Sequence, residues 1–275
     1  MASMLEAFET VRIVRIRHGR RAADLDRAAT EEPLEVRLHG RPFAVIMRTP
    51  GADRELAAGF LLAERVLASA GDLGTIVHCT DEGTDHPENV LNVTRTDESA
   101  GRLERLLADR RMVTMNASCG MCGRLTIDSL RTDAPALECA WTVSRESLVA
   151  MPGRLRAAQA VFDETGGLHA AGLFTGDGAL EHSAEDVGRH NAVDKVIGRM
   201  VMRDAIPLSD RMLFVSGRTS FEIVQKAFLA GIPIVASVSA PSSLAIALAA
   251  EAGVTLAGFV RGDSFNIYTH AARIV

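Results

Sequence analysis

Two thiols stand in a CxxC spacing in the stretch Asn116-Ala117-Ser118-Cys119-Gly120-Met121-Cys122-Gly123. A thiolate is the nucleophilic form of cysteine, so a useful pair needs a lowered pKa or an adjacent cation. Arg124 is the nearest cation in sequence. Gly120 and Gly123 loosen the backbone and let it approach a partner closely. The expectation is two exposed, reactive thiols on a loop, with Cys119 and Cys122 as catalytic candidates. Other readings stay open on spacing alone. A zinc site wants four ligands and normally a second CxxC or a His pair. Cys79 and Cys139 are instead single and sit in apolar surroundings, where core positions are expected. A thioredoxin-like dithiol belongs early in a βαβ unit, at a helix N-terminus. Two thiols that merely pack would suit a less polar, less Gly-rich stretch.

Three further stretches have an anion-friendly character. They are Glu185-Asp186-Val187-Gly188-Arg189-His190-Asn191, which runs on to Asp194-Lys195, then Ser216-Gly217-Arg218-Thr219-Ser220, and Ser239-Ala240-Pro241-Ser242-Ser243. Each falls where a strand pattern gives way to a helix pattern. Helix N-termini carry free N–H groups and the positive dipole end, and Arg189 and Arg218 add bidentate donors. None is a Walker A or GxGxxG loop. Ser and Thr at such points also serve as plain N-caps. His169 reads as a structural hydrogen-bonder. His190, four residues after Asp186 and beside Arg189, is open to acid–base work. Phe259-Val260-Arg261-Gly262-Asp263-Ser264 leaves a strand pattern at another loop with an Arg and a Gly.

The elements that must position these groups are legible in the periodicity. Leu34, Val36 and Leu38 alternate before His39-Gly40, and 42–47 runs apolar, which predicts a hairpin. Asp53 is placed to cap a helix carrying Leu56, Phe60 and Leu61. Strands are expected over 75–79 and 89–94, a loop over 81–88, and a short helix around Leu103, Leu106 and Leu107. Ser144 caps a helix ending before Pro152, and Pro152 opens the next, which stops at Gly166-Gly167. Strands over 168–174 and toward Ser183 follow. Then helices over 188–202, 219–229 and 242–251 alternate with strands over 212–216, 232–238 and 254–260, and 266–269 closes the sheet. That order implies an α/β architecture, a largely parallel sheet covered on both faces, behind an α+β N-terminal part. The domains are expected at 1–143, including the loop 116–124, and 144–275.

Composition narrows the class. The 275 residues are 47% hydrophobic and 24% charged, as in soluble globular proteins. A net charge of −5 argues against a general nucleic-acid binder, and 4% aromatics against a stacking platform for single strands. No apolar run is long enough to span a membrane, and residues 1–21 interleave apolar residues with arginines rather than forming a secretory signal. A cytoplasmic protein with reduced thiols is expected. The helix 242–251 is apolar nearly all round and must be covered on more than one side, which favours a homodimer.

Five motifs occur in order, at 116–123, Thr165-Gly166-Gly167-Leu168-His169-Ala170-Ala171, 185–195, 216–220 continued by Phe221-Glu222, and 239–243, and together they resemble the FdhD family of formate dehydrogenase accessory sulfurtransferases. The resemblance implies a sulfurtransferase that receives sulfur from a cysteine desulfurase as a cysteine persulfide. It implies delivery to a molybdenum or tungsten bis-pterin guanine dinucleotide cofactor, required for formate dehydrogenase activity. By motif, Cys119 is the persulfide carrier, Cys122 a supporting thiol, and Phe259 to Ser264 the cofactor-contact stretch. The second domain is implied to be a three-layer α/β/α mixed sheet similar to cytidine deaminases. The deaminase zinc signature, H-x-E with P-C-x-x-C, is absent from the chain, so no metal site is expected. A dithiol–disulfide oxidoreductase and a non-enzymatic cofactor chaperone are the rival classes.

Overall fold

A computed structural model of the chain describes residues 7–80, 83, 85–96, 114–115 and 135–275. Cys119, Cys122 and the helix expected around Leu106 lie outside the described residues.

The described residues begin with a ribbon of two antiparallel strands, β1 (Phe8–Arg17) and β2 (Arg20–Ala29). The predicted hairpin follows as β3 (Glu32–Leu38) and β4 (Arg41–Arg48). Both hairpins turn on a His-Gly pair with both φ angles positive: His18 at 51° and Gly19 at 77°, His39 at 48° and Gly40 at 75°. Such a turn matches the twist of the strands and favours glycine at its second position. The first hairpin escaped the sequence reading because β2 carries no apolar alternation: it is half charged, and it is exposed along nearly its whole length.

Helix α1 (Asp53–Ala63) comes next, then β5 (Leu73–His78), β6 (Val90–Arg95) and the short β7 (Thr114–Met115). These strands form a five-stranded sheet in the order β5-β6-β3-β4-β7. Asp53 is not the cap of α1. Ala52 occupies that position in the left-handed region without a side-chain cap, and the Asp53 carboxylate is taken by the buried Arg48, at 3.0 Å from Nε.

Ser144 does cap α2 (Arg145–Ala157), accepting from the Ser147 N–H at 3.1 Å. Pro152 lies inside this helix instead of opening the next one. The ring removes one backbone donor, yet Leu148, Met151 and Leu155 are buried on either side of it, and that burial holds the turns together. The short α3 (Ala160–Thr165) ends at Gly166, whose φ is 67°.

The second sheet is built from β8 (His169–Thr175), β9 (Leu180–Asp186), β10 (Arg211–Val215), β11 (Ile234–Ser237), β12 (Thr255–Arg261) and β13 (Ser264–Thr269), interleaved with α4 (Arg189–Met202), α5 (Phe221–Leu229) and α6 (Ser243–Glu251). Its order is β13-β12-β11-β10-β8-β9. The expectation of a largely parallel sheet is corrected: β10, β11 and β12 are parallel, but the β8/β9 and β12/β13 hairpins make every other pairing antiparallel. Hairpin loops are short, and a short loop joins only antiparallel neighbours.

Both faces of this sheet are covered. Side chains alternate across a strand. Met212 and Phe214 accordingly join a core under α2, while Leu213 and Val215 join a larger one with α4, α5 and α1. That larger core runs without a break from Leu34 of β3 to Leu256 of β12. The α1–α4 crossing is close because two glycines allow it. A Cβ on Gly59 would lie 2.0 Å from the Asp194 carbonyl oxygen, and one on Gly198 1.8 Å from that of Glu55.

Candidate ligand cleft at the sheet edge

Strand directions gather the sequence motifs. β9, β10, β11 and β12 all end on one edge of the six-stranded sheet, and β8, antiparallel to β10, begins there. In open α/β sheets, ligands bind beyond the carboxyl ends of strands. A cleft of about 570 Å³ opens at this edge, lined among others by Gln159, Phe162, His169, Phe214, Ser216 and Val238.

The β9–α4 turn does two jobs. Its inward residues form a saturated network. Asp186, fully buried, accepts from the Gly188 N–H (2.8 Å), the Asn191 side chain (2.9 Å) and the Thr49 N–H (3.2 Å), and it pairs with Lys195 Nζ at 2.7 Å. Lys195 also donates to the Thr49 carbonyl at 2.8 Å, Asn191 to that of Met47 at 2.8 Å, and the Val187 N–H to Thr49 Oγ1 at 3.1 Å. These groups join the end of β4 to the start of α4.

Other polar atoms of these turns have no partner among the described residues. Arg189 Nε, His190 Nδ1 and Thr219 Oγ1 are buried without a hydrogen-bond partner. Buried polar groups in folded proteins are almost always paired, so these three atoms retain hydrogen-bonding capacity along one turn region. His190 Nε2 meets Ser220 Oγ at 3.0 Å and Glu222 at 3.3 Å, while Lys226 behind them grips Asp194 at 2.7 Å. Burial, then the charges of Lys226 and Arg189, push the His190 imidazole down to about 3, so it is held neutral. His169 is also lowered, first by half-burial and then by Arg189.

Ser216 lines the cleft and accepts the Ala170 N–H at 2.9 Å. Gly217 packs so close to His169 that a Cβ there would lie 3.3 Å from Nδ1. Arg218 is exposed. The turns at 216–220 and 239–243 are laced together, Thr219 N–H to the Ala240 carbonyl (3.2 Å) and Ser242 N–H to that of Thr219 (3.0 Å). Ser242 proves to be a plain N-cap, accepting from the Ala245 N–H.

The 259–264 stretch divides. Phe259 sits at φ 54°, exposed, with the Arg261 guanidinium 5.8 Å above its ring. Arg261 Nε donates to the Val238 carbonyl at 2.8 Å, which ties this turn to the cleft wall. Gly262, at φ 58°, and Asp263 form the β12/β13 turn, and Ser264 Oγ closes it onto the Arg261 carbonyl at 3.2 Å. Val260 is fully buried in the core under α2, a packing position rather than a contact.

A family model described as the FdhD/NarQ family matches residues 29–275. The chain belongs to the FdhD/NarQ family. Relatives named "Sulfur carrier protein FdhD" are 50% identical in Streptomyces coelicolor, over 97% of this chain and 95% of that protein, and 50% identical in Mycobacterium tuberculosis, over 90% and 91%. A crystal structure described as a formate dehydrogenase accessory protein of Desulfotalea psychrophila superposes with a TM-score of 0.77 at 25% identity, covering 98% of this chain and all of that one.

Within this FdhD/NarQ chain, Gln159, Phe162 and Val238 are cleft residues that the sequence places only within the helix opened by Pro152 or the strand 232–238. No signal in the sequence marks them, because their role depends on where α3 meets β8 and β11. Cys79 is buried as expected, whereas Cys139 is only half-buried, its Sγ 3.4 Å from the Trp141 carbonyl. No helix among the described residues is long and apolar enough to cross a membrane.

Proposed function

We propose that this chain is a sulfur carrier that loads sulfur from a cysteine desulfurase onto Cys119 and hands it to a molybdenum or tungsten bis-pterin guanine dinucleotide destined for formate dehydrogenase. The observation that carries the reading is half-identity, over nearly the whole chain, to proteins named sulfur carriers. In the loading step the Cys119 thiolate attacks the terminal sulfur of the donor's persulfide. The donor's S–S bond breaks, the donor leaves as a thiolate, and Cys119 becomes the persulfide.

The chain's own residues support the second half of the reading at the sheet edge. The dinucleotide tail is anionic and hydrogen-bonding. Arg218 and Arg189 supply charge, the α4 and α5 N-termini supply N–H groups, and the orphaned Arg189 Nε and Thr219 Oγ1 supply donors. Neutral His190 presents Nδ1 without adding a further cation. Phe259 and Arg261 form the rim nearest Val238.

Incubation with a desulfurase and free cysteine, followed by intact mass measurement, tests the function. A carrier gains one sulfur atom, and Cys119→Ala loses that gain. Loss of two hydrogens would make the protein a dithiol oxidoreductase, and an unchanged mass would leave a cofactor chaperone. Equal loss of loading in Cys119→Ala and Cys122→Ala would favour a dithiol mechanism.

A further inference from the structure

Helices α4 and α5 bury a chain of ionisable side chains between them. Lys226 Nζ of α5 donates to both oxygens of Asp194 on α4, at 2.7 and 2.8 Å. Lys226 also makes an i,i+4 ion pair with Glu222, at 3.9 Å from Oε1. The other Glu222 oxygen lies 3.3 Å from His190 Nε2, and Ser220 Oγ lies 3.0 Å from the same nitrogen. Asp194, Lys226, Glu222 and His190 are all buried.

This chain of groups ends beside the cleft. A Cβ at Gly217 would lie 3.3 Å from Nδ1 of His169, a cleft residue, and 3.9 Å from the Cβ of Arg189, which precedes His190.

Which imidazole nitrogen carries the proton follows from the groups that each nitrogen meets. Ser220 settles nothing, because a hydroxyl donates or accepts. An ion-paired carboxylate only accepts. A bare Nε2 would turn its lone pair toward the Glu222 oxygen, so the proton belongs on Nε2. A second proton, on Nδ1, would be a buried donor with no partner among the described residues, which costs free energy. Nδ1 therefore carries a lone pair.

We infer that Glu222, anchored by Lys226 and Asp194, is a positioning residue that fixes His190 as the Nε2–H tautomer and leaves Nδ1 as a hydrogen-bond acceptor at the sheet edge. The consequence for the ligand rests on the cofactor reading proposed above. A phosphate oxygen at Nδ1 would meet a lone pair, so Nδ1 takes a donor of the ligand instead. In a nucleoside diphosphate the groups with a proton to share are the ribose hydroxyls and the base N–H groups. Those groups face His190, and the phosphates are left to Arg189, Arg218 and the helix N-termini.

Two measurements on the full chain test it. Two-bond proton–nitrogen correlation spectra of protein labelled with nitrogen-15 in its histidine rings report the tautomer at neutral pH, with His190 assigned by the signals lost in His190→Gln. Wild type should show Nε2–H alone, and Ser220→Ala should keep that pattern. Glu222→Ala, or Glu222→Leu with more of the buried volume retained, should turn it into a mixture of tautomers. A protonated Nδ1 in wild type, alone or in an imidazolium, overturns the inference, and so does an unchanged tautomer in both Glu222 variants. Calorimetric titration with GDP, a nucleoside diphosphate, tests the ligand's placement. The Glu222 variants should bind GDP about three- to tenfold more weakly than wild type, with the same salt dependence, because the phosphate contacts are kept. Unchanged affinity, or a loss that comes with a flatter salt dependence, overturns the placement of a ligand donor at His190. A wild type that binds no GDP while showing the Nε2–H tautomer overturns the cofactor reading and upholds the positioning role of Glu222.

Discussion

One motif, Glu185 to Lys195, feeds two regions with opposite chemistry. Its inward residues, Asp186, Asn191 and Lys195, have their hydrogen-bonding groups engaged by β4 or by the turn itself. Its other residues, Arg189 and His190, each keep one buried polar atom with no partner among the described residues, as does Thr219 across the turn. The saturated side behaves as a rivet between the five-stranded sheet and α4. The unsaturated side holds polar atoms that the described residues leave unpaired, and under the proposed function a ligand would supply partners there. Motif membership therefore does not assign a role, whereas the hydrogen-bond ledger around each side chain does.

Breaking the saturated side should cost most. Lys195→Met leaves the Asp186 carboxylate buried and uncompensated, and stability should fall by about 3–5 kcal/mol in denaturant unfolding. A loss under 1 kcal/mol would mean that Asp186 is satisfied without its cation and that the rivet is not one. On the open side, exposed Arg218→Ala should leave unfolding unchanged. It should weaken binding of GDP, half of the dinucleotide tail, by about 1.5–3 kcal/mol in calorimetric titration, an effect that shrinks with salt. Equal GDP affinity for both proteins would remove the anion-binding reading of this edge.

His190 tests the boundary between the two regions. Its ordinary value of 6.5 is lowered to about 3 in the fold, so between those pH values the unfolded chain binds a proton that the folded chain does not. Stability is therefore lost as pH falls from about 6.5 toward 3, with a slope near 1.4 kcal/mol per pH unit from this group. His182, lowered to about 4 by burial, adds to the slope in the same direction. His190→Gln should flatten the acid limb relative to wild type. An identical limb would show that His190 takes up a proton in the folded state at ordinary pH.

The smallest and sharpest comparison makes one substitution on each side. Thr49→Val strips the Val187 N–H of its acceptor and should cost about 1–3 kcal/mol. Thr219→Val removes a buried hydroxyl that has no partner and should change stability by no more than about 0.5 kcal/mol. Similar losses in the two variants would erase the distinction between the regions.

Much of the fold was readable because its signals are local. The His39-Gly40 turn, the Ser144 and Ser242 caps, the Gly166 stop and the alternation of strands and helices after residue 168 each depend on a few neighbouring residues. The element boundaries there agree to within a few positions. The misses arose where context overrode local preference. Pro152 is tolerated inside α2 because Leu148, Met151 and Leu155 are buried on the sheet. Asp53 is diverted from capping by Arg48, and β2 is a strand only because β1 pairs with it.

The candidate site followed the same divide. Residue types and order sufficed to pick out the CxxC pair, the arginine-bearing turns and the family, since chemistry-bearing side chains occur in runs along the chain. Which of those side chains face a cleft is a matter of strand direction. β9, β10, β11 and β12 run the same way and so deliver Arg189, Ser216, Val238 and Phe259 to one edge, while the pleat turns Val260 into the core. Whether a polar group is spent or available depends on partners more than a hundred residues away, as Thr49 is from Asp186 and Lys195. Only the packed structure brings those partners together, because a hydrogen bond is decided by distance in space and not by distance along the chain.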